Sequence, residues 1–122
     1  MRWLLILCVA VSLTGCARST EDWVRQLKDE DVVKRRQALR ELAARCTEAE
    51  RLVGPLTEAL RDANPYVRHD AALALAKLGA EARTAVPVLT VALRDRDRGV
   101  RAAAGKALKK IDPQAARQAG LR

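Results

Sequence analysis

Phenylalanine is absent from this 122-residue chain, aromatic residues make up 2% of it, and histidine occurs once. Sheets that close into sandwiches or barrels are filled by aromatic and β-branched side chains. With Ala, Leu and Val supplying nearly all the apolar mass, helices are the expected element. One His and three Cys are too few for a disulfide framework or an ordinary zinc cluster. Acidic residues are also in deficit, 15 Asp and Glu against 23 Lys and Arg, for a formal net charge of +8. What is present is enough to fold: 49% hydrophobic against 31% charged residues supplies a core, and the length fits one domain.

Long apolar runs are missing except at the start, where Trp3 to Leu13 follows the positive Arg2. Eleven residues are too short for a bilayer span, which needs about 20, but match a signal-peptide core. The run ends in Leu13-Thr14-Gly15-Cys16. This tetrapeptide resembles the lipobox of bacterial lipoproteins, with an ordinary cleaved signal as the alternative. The resemblance implies cleavage after residue 15, a diacylglyceryl group on the Cys16 sulfur and acylation of the new amino group. Two or more acyl chains anchor a protein stably. Residues 1–15 are then a cleaved signal and residues 16–19 a lipidated tether. Ala17, in place of an Asp, points to the periplasmic side of an outer membrane within the bacterial envelope.

The remainder repeats itself. Shifted by 33 positions, residues 53–79 match residues 86–112 at 13 of 27 positions, and residues 20–46 match the middle copy at 6. Five columns persist in all three copies: Leu27, Leu60, Leu93; Asp29, Asp62, Asp95; Arg35, Arg68, Arg101; Ala38, Ala71, Ala104; and Leu42, Leu75, Leu108. Apolar residues recur at helical spacing on both sides of a break at Asp62-Ala63-Asn64-Pro65, so each copy reads as a helical hairpin. Asn64 before Pro65 is a helix-start signal, with Asp31 and Asp97 in the same column. Ser19 and Asp22 have capping-box spacing, and Gly79 is placed to end a helix as a left-handed cap. Gly99 and Gly105 weaken the last helix by about 1 kcal/mol each if interior. A lone hairpin cannot bury its apolar face, whereas stacked copies can.

The strings DANPYVRHDAALALAKLG and DRDRGVRAAAGKALKKI, joined by EARTAVPVL, resemble HEAT repeats of the phycobilisome-lyase-like kind. The resemblance covers residues 20–112 and leaves 113–122 as a tail that begins another connection. It implies an all-α fold, a short α-solenoid of three HEAT-like hairpins. It also implies a structural ladder between neighbouring units, made here by Asp29, Asp62 and Asp95 with Arg35, Arg68 and Arg101. In such solenoids the second helices line the concave, partner-binding face. Off the core stripe they carry Arg36, His69 and Ala102; Arg40, Leu73 and Lys106; Ala44, Lys77 and Lys110. The basic character of these rows fits an acidic protein partner, with anionic lipid head groups or an envelope polymer as the alternative. The bland reading is that the charges only solvate Ala-rich helices.

No catalytic, metal or cofactor set is expected, and the chain reads as a non-enzymatic interaction module. His69 and Asp70 are helix neighbours, whose side chains diverge by about 100°. Cys46 shares the column of Gly79, where a small buried side chain or an intermolecular disulfide are the two readings. Trp23 shares the column of Leu56 and Leu89 and is expected in the core. Export and the lack of an aromatic platform argue against nucleic acid, although a pI near 10 is its electrostatic footprint.

Overall fold

A computed structural model describes residues 17–122. The expected signal segment and the lipidation site Cys16 lie outside the described residues. The chain runs through α1 (Thr20–Gln26), α2 (Val32–Ala43), a short 3-10 turn (Cys46–Glu48), α3 (Ala49–Ala59), α4 (Pro65–Leu78), a second 3-10 segment (Gly79–Ala85), α5 (Val86–Ala92), α6 (Arg98–Ile111) and α7 (Pro113–Gln118). Among the described residues all regular structure is helical.

Helix starts follow local chemistry. Ser19 accepts from the Asp22 amide while the Asp22 carboxylate accepts from the Ser19 amide, a complete capping box. The Ser19 hydroxyl, donating to Asp22, and the Ser19 amide hold that carboxyl below its ordinary range. Asp31, Asn64 and Asp97 accept from the amides of Val33, Tyr66 and Val100 and so start the three second helices. Gly79 ends α4 at φ 61°, ψ −141°. Its positive φ is as expected, but its ψ lies outside the left-handed helical well, in a region open to glycine alone. It turns the chain into the 3-10 segment.

The columns share one interior. Ala38, Ala71 and Ala104, and Leu42, Leu75 and Leu108, are all fully enclosed. Leu60 is buried, and Leu27 and Leu93 pack half-buried against the same core. Trp23 is buried, as are Leu56 and Leu89 of its column, and Arg18 lies over its ring. Each enclosed Leu or Val contributes about 1.5–3 kcal/mol. The second helices pack in succession, α2 on α4 and α4 on α6, the most extensive helix contacts among the described residues. The first helices α3 and α5 both pack on the second 3-10 segment, whereas α1 packs chiefly on α2. This closely packed layer is the one that the resemblance to HEAT repeats assigns to the concave side.

Three expectations need correction. The final segment does not simply begin a connection: Asp112 caps α7, Ala116 is buried, and Gly120 at φ 82° turns Leu121 back toward Leu93 and Gly105. The amides of Gly120 and Leu121 bond back to Arg117 and Ala116 in a Schellman pattern. Cys46 is exposed, because α2 already ends at Ala43 and the thiol falls in the turn beyond it. Gly105 is interior to α6, but Gly99 sits in its first turn, where the interior penalty does not apply.

Candidate interaction face

The inter-helix turns and the second helices build a ladder. Arg68 on α4 donates through Nε to Asp95 Oδ2 at 2.9 Å and through Nη2 to Asp95 Oδ1 at 3.0 Å, a bidentate pair to the turn of the next unit. Its remaining nitrogen, Nη1, donates to the carbonyls of Asp62 and Ala63 in its own turn. The pair is largely buried, and the hydrogen bond to Asp95 raises the Arg68 pKa and lowers that of Asp95. Arg35 repeats the arrangement less well. Its Nη2 donates to Asp62 Oδ1 at 3.2 Å, but Nε, though 2.9 Å from Asp62 Oδ2, is out of line and makes no hydrogen bond. Asp29 and Arg101 make no such inter-unit pair among the described residues.

The off-core rows of the second helices are all exposed or half-exposed. Their charges are not equivalent. Arg36 is engaged: Nε donates to Asp70 Oδ2 of the next unit at 2.7 Å, and its guanidinium also lies over the exposed Tyr66 ring. The hydrogen bond to Asp70 raises the Arg36 pKa. The other Asp70 oxygen faces His69 Nδ1 at 3.2 Å, so these neighbours converge rather than diverge, since two short side chains can bend to a shared contact. Arg40, Lys77, Lys106 and Lys110 have no carboxylate within 4 Å among the described residues, and Leu73 lies half-buried in the row between Arg40 and Lys106. The face therefore carries an internally neutralised cluster toward its first unit and four free cations spread over all three. The sequence weighs Asp70 only beside His69 and does not mark it as the partner of Arg36, although a spacing of 34 places the two on adjacent helices.

A family model described as HEAT repeats matches residues 20–109. The chain belongs to the HEAT-repeat family. Among solved structures it is similar to the complex of CpcE and CpcF of phycocyanin lyase from Nostoc sp. PCC7120, with 30% identity and a TM-score of 0.76 over 87% of this chain. It spans 42% of that chain, less than half its length. No curated protein matches. The similarity corrects the reading of the chain as a non-enzyme, because the similar solved structure is that of a lyase complex. The absence of a catalytic motif in one chain is weak ground for that reading, since a repeat subunit can serve an enzyme by holding its substrate or its partner subunit.

Proposed function

We propose that this protein is a membrane-anchored interaction module of the bacterial cell envelope, which holds an acidic protein partner on its inner helical face. The observation that carries the reading is the set of four unpaired cations, Arg40, Lys77, Lys106 and Lys110, on a rigid layer of packed helices with a half-buried Leu73 among them. Fixed charges on packed helices offer complementarity without ordering a loop. Similarity to one chain of a two-protein lyase complex supports a role within a protein assembly. Anchoring rests on the lipobox resemblance at Cys16, and an outer-membrane, periplasmic position on Ala17. No described helix is long and apolar enough to cross a membrane.

The same four cations support a second reading, electrostatic binding of anionic lipid head groups or envelope polymers. Vesicle pelleting against salt separates the two. Binding to an anionic surface collapses as the Debye length falls to about 8 Å at physiological salt, whereas a packed protein contact persists. Labelling cells with a fatty acid tests the anchor: label is expected on the native chain and lost with Cys16→Ser, and an unlabelled native chain contradicts it.

A further inference from the structure

The ladder leaves half a rung at each end. Arg35 and Arg68 each brace the guanidinium on two carbonyls of their own turn and offer the remaining edge to the next unit's Asp. Arg101 is braced in the same way, with Nη1 at 2.8 Å from the Asp95 carbonyl and 3.1 Å from that of Arg96. No carboxylate faces it among the described residues. It is exposed and lines an open cleft of about 650 Å³ with Leu93, Arg94, Arg98 and Leu121.

Asp29 is the missing half. Its Oδ1 accepts from the Asp31 amide at 2.9 Å, as Asp62 accepts from Asn64 and Asp95 from Asp97 at the same distance. The carboxylate is thus held in the posture of a rung, but its cationic neighbour is Lys34 of its own unit at 3.9 Å. Arg94, Arg96 and Arg98 precede Arg101, so that end is strongly basic, whereas Asp29 stands in a mixed turn with Lys28 and Lys34 beside Glu30 and Asp31. Asp95 and Asp97, the acids among those arginines, are occupied by Arg68 and by the cap of α6.

We propose that these ends meet between two copies of the chain, Arg101 of one donating to the Asp29 carboxylate of the next, as Arg68 does to Asp95 within the chain. The contact is heterologous, so each pair keeps one free end of each kind and growth is head to tail. Helix α7 and Leu121 cover the apolar side of the last unit, which confines the contact to the turn edge and makes association dependent on concentration. This inference stands on the ladder and not on the inner-face reading.

Light scattering of the full chain in mild detergent, from micromolar to millimolar, tests it. The native chain is expected to gain mass with concentration. Asp29→Asn keeps the turn bond but drops the charge, and it should weaken association about tenfold, as should Arg101→Gln. Asp29→Arg and Arg101→Asp should each stay monomeric alone, while their equimolar mixture associates, because one native and one reversed rung can then form. Helical circular dichroism identifies variants that keep the fold, and if a reversed variant loses it the neutral variants carry the test. A native chain that is monomeric throughout, neutral variants that associate like the native, or folded reversed variants that stay monomeric when mixed would overturn the proposal.

Discussion

Arg68 holds both carboxylate oxygens of Asp95 across the junction of the second and third units, while Arg35 aligns only one hydrogen bond with Asp62 at the junction before it. The two junctions should therefore differ in strength. Charge-assisted hydrogen bonds contribute about 1.5–3 kcal/mol. Arg68→Ala is expected to lose about that much in chemical denaturation, and Arg35→Ala less. A larger loss from Arg35→Ala would contradict the geometry.

The same pair sets an acid limit. The hydrogen bond from Arg68 holds the Asp95 carboxyl below its ordinary range, against an opposing effect of burial. A carboxyl depressed in the folded state adds stability above its unfolded value, about 3.9, and that addition is lost as pH falls through the lower folded value. Asp95→Asn should therefore be less stable than the native chain at neutral pH, and the gap should close as the native chain is acidified below about pH 4. A gap that stays constant from neutral to strongly acidic pH would contradict this.

Gly105 lies within α6, and a Cβ built there would meet only the ends of Leu121 and Leu93 at 3.7 Å, ordinary contact. Gly105→Ala should raise stability by about 0.5–1 kcal/mol, read as an increase in the denaturation midpoint. Gly99→Ala should not, because its Cβ would come to 3.0 Å of the Asp97 oxygen that caps the helix.

Local chemistry was the most readable layer of this chain. Ser19, Asp31, Asn64 and Asp97 cap helices because each needs only its own turn to do so. The enclosed Ala and Leu columns were readable because stacked hairpins repeat their neighbours. What escaped depends on termini and on contacts between units. Cys46 was expected to be buried through its Gly79 column, but α2 stops earlier than α4 does relative to the repeat. Arg36 was grouped with the free cations because nothing in its own helix marks Asp70 as its partner. The folded tail arose from Gly120 and Leu121, outside any repeat column.

The central functional claim is that free inner-face cations, and not the cation tied to Asp70, hold the partner. Capture from detergent-solubilised membranes, comparing the native chain with a variant carrying Arg40, Lys77, Lys106 and Lys110 all as Glu, tests it most directly, with Arg36→Gln as the companion variant. The fourfold change is expected to remove the captured acidic protein while Arg36→Gln retains most of it, with helical content unchanged in both. An undiminished catch with the folded fourfold variant would contradict it.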